Sequence, residues 1–367
     1  MSEGEVQFET IETAIAAIKA GEMVVVVDDD DRENEGDLIM AASKATSEQV
    51  AFMIRHTSGI LCAPMFEDHA TMLHLEPMVA RNNAPMSTAF TVSIDYKHGL
   101  TTGISAEERA TTVQALTNSN VGAQDFVRPG HIFPLVARQG GTLVRSGHTE
   151  AGVDLSVLAE LPPVSLLAEL VNDDGTVQRL PQLLEFSKEH NFKIITIADL
   201  IAYRQVREQL VEQMYEFEVN TRIGPAIARA YKTKFEDVEH LALVFGDISE
   251  MDAVPVRIHR EKLVEDVFGA QSDKHEQSLK DAALNAIERL GGGVLIYLRT
   301  GFVGVPREAL QEQSKEDERR SEWLEVGVGA QILRDLGLTT IKLIAGREVE
   351  YKGVSGFGLK LDSTEIL

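Results

Sequence analysis

Apolar residues in this chain follow two rhythms. Recurrence every three to four positions predicts helices over Phe8–Ala20, closed by Gly21, and behind Ser47, where Val50, Met53 and Ile54 share a face. The same spacing continues past the capping box Ser105-Ala106-Glu107-Glu108 and over Ala151–Leu161 and Leu180–His190. Unbroken or alternating apolar runs predict strands over Met23–Val27, Leu38–Ala41, Ile60–Cys62, Phe90–Asp95, Ile132–Ala137, Thr142–Val144, Leu166–Val171 and Phe192–Ile197. Arg128-Pro129-Gly130-His131 and Asn172-Asp173-Asp174-Gly175 read as turns. Strands and helices mingle without strict alternation, which predicts an α+β domain on a mixed sheet.

The charged, apolar-poor segment Tyr203–Gln213 marks a boundary and divides the chain into 1–205 and 206–367. Beyond it, strands over His240–Val244, Val254–His259 and Val294–Leu298 and a last one over Thr340–Ala345 mix with helices over Gln277–Leu290 and Val328–Leu336. Ser314–Arg320 reads as a charge-rich loop or helix start. A second α/β domain is expected there. A length of 367 residues suits two hydrophobic cores.

Charge narrows the function. With 35 basic and 58 acidic side chains the net charge is −23, which argues against nucleic-acid and anionic-membrane partners. A local phosphate pocket remains open, since it needs only a few well-placed groups. The single cysteine, Cys62, excludes a disulfide framework and any multi-cysteine zinc site. No run of 18 apolar residues occurs, so a cytoplasmic location is the expectation.

The densest chemistry lies between the first two strands. Asp28-Asp29-Asp30-Asp31-Arg32-Glu33-Asn34-Glu35-Gly36-Asp37 carries seven carboxylates, which repel one another unless a cation or Arg32 neutralises them. A solvated acidic loop is the bland alternative, disfavoured by the buried strands on either side. An EF-hand is excluded: with Asp31 first, position twelve is Ala42, where a bidentate carboxylate is required. Magnesium fits better, because it keeps several waters and needs only one or two protein carboxylates.

A second constellation, Arg145-Ser146-Gly147-His148-Thr149-Glu150, combines Arg, a flexible glycine and a hydroxyl near a helix start, the ingredients of a phosphate site. His148 could share a metal with the acidic turn; a structural histidine is the alternative. His131 is ambiguous alone. Glu169, inside an apolar run, either reaches outward or is a buried carboxyl with a raised pKa. Thr102, in the loop His98-Gly99-Leu100-Thr101-Thr102-Gly103, is a further candidate substrate contact.

In order along the chain, the acidic turn, the His98–Gly103 loop, Arg128-Pro129-Gly130-His131-Ile132-Phe133-Pro134-Leu135, Gly147-His148-Thr149-Glu150-Ala151 and Glu169 with Asn172–Gly175 closely resemble 3,4-dihydroxy-2-butanone 4-phosphate synthase of riboflavin biosynthesis. The resemblance covers roughly residues 8–204. It implies a homodimeric lyase converting ribulose 5-phosphate to 3,4-dihydroxy-2-butanone 4-phosphate and formate, with Mg²⁺ for which Mn²⁺ can substitute. It further implies Glu33 and His148 as metal ligands, His131 and Glu169 as acid/base groups, and substrate contacts from Arg32, Glu33, Asp37, Glu169 and the Arg145–Thr149 loop (Arg145, Ser146, Gly147, His148, Thr149). Glu35 and Asp37 are additional candidates for proton transfer.

From about residue 218 the chain resembles GTP cyclohydrolase II, through Val256-Arg257-Ile258-His259-Arg260-Glu261, Asp266-Val267-Phe268-Gly269 and Gly327-Val328-Gly329-Ala330-Gln331. That family uses three zinc-binding cysteines; here Lys262, Asp273 and His275 stand at the matching positions. Its Arg-containing catalytic segment reads Glu322-Trp323-Leu324-Glu325, and its glycine-rich stretch Arg299–Pro306. The expectation is a domain without zinc and without cyclohydrolase activity, serving dimerisation or regulation. The alternative is a bifunctional enzyme that also opens the imidazole ring of GTP.

Overall fold

The computed structural model describes residues 8–30, 32–234, 238–269, 278–299, 327–346 and 357–367. The chain forms two compact units, divided between Tyr203 and Arg204.

The first unit is a seven-stranded mixed sheet of order β4-β5-β3-β6-β2-β1-β7. Its strands are β1 (Val24–Val27), β2 (Gly36–Ala41), β3 (Cys62–Phe66), β4 (Ile94–Tyr96), β5 (Phe126–Ala137), β6 (Ser165–Glu169) and β7 (Lys193–Thr196). The helices are α1 (Ile11–Ala20), α2 (Ser47–His56), α3 (Glu67–Met72), α4 (Ala106–Ala115), α5 (His148–Leu158), α6 (Leu180–His190) and α7 (Ile197–Arg207). Only the β1–β7 and β3–β5 pairs are parallel. All four valines of β1 are buried, because both faces of the sheet are covered. On one face Val24, Val26, Ile39, Cys62 and Leu167 pack with Ala14 and Ile18 of α1 and Ala151 and Leu155 of α5. On the other, Val25, Leu38, Met40, Ala63 and Ala168 meet Val50, Met53, Val113 and Leu183. Capping decides where helices begin: Thr46, not Ser47, caps α2 through a reciprocal bond with Gln49, and Ser105 with Glu108 caps α4 as expected.

The structure departs from the sequence reading elsewhere too: the strand expected over Ile60–Cys62 lies at Cys62–Phe66. Thr142 and Leu143 lie in a 3₁₀ turn, not a strand: Gly140 and Gly141 adopt φ of 92° and 61°, and buried Asp154 accepts bonds from the Thr142 backbone and hydroxyl at 2.7 and 2.6 Å. Helix α5 starts at His148 rather than Ala151, which moves His148 and Thr149 into its first turn. The strand expected over Phe90–Asp95 is reduced to β4, with single bridges at Phe90 and Thr91. Arg128–His131 does not precede a strand but interrupts one: Asp95 pairs with Val127 while Ile94 pairs with Ile132, so the four residues between bulge out of the ladder.

The second unit is another seven-stranded mixed sheet, of order β14-β13-β11-β12-β10-β9-β8. It comprises β8 (Val211–Thr221), β9 (Gly224–Thr233), β10 (Glu239–Phe245), β11 (Val254–Arg260), β12 (Gly293–Leu298), β13 (Thr340–Ala345) and β14 (Lys360–Ile366). Helices α8 (Leu263–Phe268), α9 (Leu279–Arg289) and α10 (Gly329–Asp335) accompany it, and α9 buries Ala283, Leu284, Ala286 and Ile287. The hairpin β8–β9 starts inside the stretch read as a linker, and β14 follows the strand read as the last. Both β8 and β14 are mostly exposed edge strands, so neither carries the alternation that would betray it. Among the described residues no helix is long and apolar enough to cross a membrane.

Candidate active site

The acidic turn joins β1 to β2 and is built around Asp28. This buried carboxylate accepts hydrogen bonds from Arg32 Nη1 at 3.0 Å and from the backbone N–H groups of Glu33 and Glu35 at 3.0 and 2.9 Å. Arg32 also pairs with Glu33, and its side chain is only 2% exposed. Arg32 thus neutralises the turn from inside. Exposed Arg179 clamps the turn from outside, donating to the carbonyls of Glu33, at 2.7 Å, and Asn34. Asp31 lies outside the described residues.

Opposite the turn stands His148, in the first turn of α5. Its Nε2–H donates to the Val26 carbonyl at 3.1 Å, which turns Nδ1 toward Glu33, 3.8 Å away. Donor atoms of Asp28, Glu33 and His148 lie within 4.8 Å of one another, and so do those of Glu35, Asp37 and His148. Asp37 pairs in register with Glu169 of the adjacent strand β6, and Ser58 Oγ donates to Glu169 Oε2 at 2.6 Å.

These carboxyls do not share one protonation state. Burial raises Glu33, but His148 and Arg32 outweigh it and hold the group at about 2. Burial pushes Glu35 to about 7, and neighbouring Glu33 adds to the shift. Fully buried Asp37 is driven to about 8, burial leading and Glu169 and Glu35 adding, while His148 pulls the other way. Burial disfavours a charged His148, yet Asp37, Glu33 and Asp28 raise it to about 9. Cys62, buried on the same face of the sheet, has its thiol pushed up by burial and then by Glu169 and Asp37.

The phosphate-type loop closes the same region. Gly147 caps α5 without a side chain, which leaves the helix's first N–H groups without a side-chain cap beside buried Ser146 and Thr149. A Cβ at Gly147 would lie 2.4 Å from Arg145 Nη1 and 2.9 Å from Glu150 Oε2, so only glycine lets the Arg145–Glu150 ion pair, at 2.7 Å, pass so close. Arg145 also donates to the Met86 carbonyl at 3.1 Å.

His131 and Thr102 form a second group. The register Phe133–Cys62–Leu167 puts His131 in the same row of the sheet as Glu169, two strands away. That is about 10 Å at the usual strand spacing. His131 Nδ1 bonds Asp95 Oδ2 at 2.7 Å, and its ring is 37% exposed. Thr102 is exposed in the loop that presses Gly103 against this pair. Asp95, Ser58 and Arg179 went unnoticed in the sequence: the first two end or follow regular elements, and Arg179 looks like any charged residue before a helix.

In the second unit, Lys262 pairs with Glu265 at 3.3 Å. Asp273, His275, Thr300–Pro306, Ser314–Arg320 and Glu322–Glu325 lie outside the described residues. His259 and Asp266 form a buried pair at 2.9 Å, joined by the Tyr297 hydroxyl and the Lys262 N–H, each 2.8 Å from Asp266 Oδ2.

Residues 12–203 match the family model described as 3,4-dihydroxy-2-butanone 4-phosphate synthase, and residues 212–365 that of GTP cyclohydrolase II. The chain is 46% identical, over 96% of its length and 68% of the relative's, to the bifunctional riboflavin biosynthesis protein RIBA 1, chloroplastic, of Arabidopsis thaliana. It superposes with a TM-score of 0.83 and 37% identity on RibBX, a two-domain 3,4-dihydroxy-2-butanone 4-phosphate synthase from A. baumannii, covering 97% of this chain and 99% of that one. A 3,4-dihydroxy-2-butanone 4-phosphate synthase in complex with two magnesium ions aligns at 43% identity and a TM-score of 0.53, covering 54% of this chain and 97% of that one.

Proposed function

Since this chain belongs to the 3,4-dihydroxy-2-butanone 4-phosphate synthase family, with a GTP cyclohydrolase II domain following, we propose that it converts ribulose 5-phosphate to 3,4-dihydroxy-2-butanone 4-phosphate and formate with Mg²⁺, as a lyase of riboflavin biosynthesis. The observation that carries this reading is the pair of overlapping carboxylate–imidazole groups sharing His148. The donor set suits the ion: hard carboxylate oxygens, one imidazole, and a buried Asp37 Oδ1 with no hydrogen-bond partner. Mn²⁺, similar in ligand preference, substitutes.

Glu33 and His148 hold the cation, which when bound supplies a Lewis acid for the substrate's C2 carbonyl. Arg145, Thr149 and the first N–H groups of α5 take the phosphate, with Ser146 and Gly147 shaping the loop. His131 and Glu169 exchange protons with the sugar: one removes the C3 proton, and a carboxyl kept neutral helps the C1 hydroxyl leave. Glu35 at about 7 and Asp37 at about 8 are candidates for that neutral carboxyl. Skeletal rearrangement then precedes release of C4 as formate. Glu33 and Asp37 line the substrate side of the acidic turn, Arg32 backs them through its pairs with Asp28 and Glu33, and Thr102 closes it from the His131 group. The enzyme works as a homodimer in the cytoplasm. Ile60 and Ile104, 48% and 53% exposed beside the His131 row and the Thr102 loop, support a second copy covering that face.

The second domain is not an active cyclohydrolase. It lacks cysteine altogether, and Lys262, already paired with Glu265, is no substitute for a soft thiolate zinc ligand. The bifunctional name of the Arabidopsis relative keeps ring opening of GTP as the second reading. Purified protein given ribulose 5-phosphate and Mg²⁺ is expected to release formate and the butanone phosphate. Folded protein without turnover defeats the first reading, and formate from GTP with added Zn²⁺ establishes the second.

A further inference from the structure

We propose that Arg179 is a positioning residue for the cation site, its guanidinium holding the backbone of the acidic turn so that Glu33 and Glu35 face His148. The inference rests on reading that turn, with His148, as the place where Mg²⁺ binds.

Asp28 shapes the turn, but its hydrogen bonds close within residues 28–35. They give the turn its form and leave its placement against the rest of the sheet to other contacts. Arg179 supplies one from 146 positions away. Its Nη1 carries two hydrogens and donates to the Glu33 carbonyl, at 2.7 Å, and to the Asn34 carbonyl. Asn34 adopts φ of 54°, a left-handed conformation that asparagine tolerates better than most side chains. The carbonyls of both peptide units flanking its Cα meet the same guanidinium. Glu33 is thereby gripped at both backbone groups, its N–H by Asp28 and its carbonyl by Arg179. The Asn34–Glu35 peptide is gripped in the same way. With the backbone pinned from outside, the Glu33 carboxylate lies on the inner side, paired with Arg32 and 3.8 Å from His148 Nδ1.

Arg179 is itself anchored. It stands at the N-cap of α6, where its backbone N–H donates to Gln182 Oε1 at 2.9 Å and its carbonyl accepts the Leu183 N–H at 3.0 Å. The preceding residue, Gln178, donates its backbone N–H to the Leu170 carbonyl at 3.0 Å, and the Leu170 N–H donates to the Gly36 carbonyl at 2.9 Å. A Cβ at Gly36 would fall 2.6 Å from a Leu183 methyl, so glycine lets α6 lie directly against the base of the turn. The guanidinium thus reaches the turn from a platform tied to the same strands.

The charge of Arg179 makes the role testable. A positive side chain beside a cation site opposes the cation, so by charge alone its loss tightens metal binding. Loss of positioning loosens binding, because the carboxyls no longer wait in place. The two effects differ in sign.

Arg179→Met in the full-length protein removes the donors and keeps an unbranched stem. Mn²⁺ is added to metal-free protein without substrate, and the decline of the free-ion signal in electron paramagnetic resonance gives the affinity. The expected result is roughly 10–100-fold weaker binding, a Mg²⁺ activation constant raised in parallel, and kcat at saturating Mg²⁺ within about threefold of wild type. Arg179→Lys, which keeps a cationic donor, is expected to recover most of the affinity. Unchanged or tighter binding in Arg179→Met, with Glu33→Gln weakened, overturns the positioning role and leaves the cation site standing. A lower melting temperature with metal affinity kept also overturns it, and assigns Arg179 to the start of α6 alone. No binding by the wild type, or equal binding by Glu33→Gln, removes the cation-site reading and the proposal with it. Should Arg179→Met fail to fold, ¹⁵N NMR of arginine-labelled, metal-free wild-type protein, assigned against Arg179→Lys, reads the grip directly. A guanidinium with hindered rotation supports the proposal; a freely rotating one overturns it.

Discussion

Two buried aspartates, one in each unit, have opposite fates. Asp266 is enclosed by partners: His259, the Lys262 N–H and the Tyr297 hydroxyl all donate to it. Burial raises its pKa, yet those donors prevail and hold it below the usual carboxylate range. Asp37 is equally inaccessible, but its Oδ1 has no hydrogen-bond partner, its neighbours include Glu35 and Glu169, and it is pushed to about 8. A satisfied buried carboxylate stabilises a fold; an unsatisfied one beside like charges stores a demand for a cation. The contrast sets a satisfied cluster against an unsatisfied one within one chain.

The contrast can be broken experimentally. The largest effect is expected from Glu33→Gln or His148→Ala, each lowering turnover on the order of 10³-fold or more while the protein still folds. Near-normal rates would remove these two residues from the cation site. Next, Asp266→Ala should destabilise the second unit by about 3 kcal/mol, because it leaves a buried network without its acceptor. Urea unfolding measures this, and an unchanged midpoint would deny the cluster its structural role.

Third comes the effect of pH on the metal-free first unit. Raised folded-state values for Glu35 and Asp37, about 7 and 8, mean that stability falls as pH rises from the unfolded range near 4.5 and 3.8 through those values. His148, raised from 6.5 to about 9, stabilises fully below 6.5 and loses this contribution as pH rises through 9. All three act in one direction from pH 6.5 to about 7, after which Asp37 to about 8 and His148 to about 9 carry the fall. Mg²⁺ at a hundredfold excess over its Kd should restore about 2.7 kcal/mol, and the same Mg²⁺ concentration should raise the melting temperature more at pH 8.5 than at pH 6. Equal shifts at both pH values would contradict the repulsion argument. The smallest change in stability is that of Asp37→Asn, expected to stabilise metal-free protein at pH 8 by about 1 kcal/mol. A lower melting temperature would mean that Asp37 has a partner after all.

How far the sequence could be read follows the same physics. Buried strands such as β1 announce themselves by composition, and the acidic turn by its improbable charge density, so both were legible. The capping box at Ser105 was local and therefore visible. Pairing was not: nothing local shows that Asp95 reaches a residue 36 positions later, or that Asp28 organises the turn while Arg32 is consumed inside it. The Arg145–Glu150 ion pair was hidden as well, because it depends on where α5 begins, three residues earlier than the apolar pattern suggests. Strands β8 and β14 escaped because exposed edges have no apolar period to detect.

Asp28 has a further consequence, for the timing of activation. By accepting the backbone N–H groups of Glu33 and Glu35 and the Arg32 guanidinium, it gives the acidic turn its shape through the protein's own hydrogen bonds. Arrival of a cation is then an exchange of ligands in a finished cage rather than a folding event. Added to metal-free enzyme, the ion should switch turnover on at the pace of water exchange, without a lag.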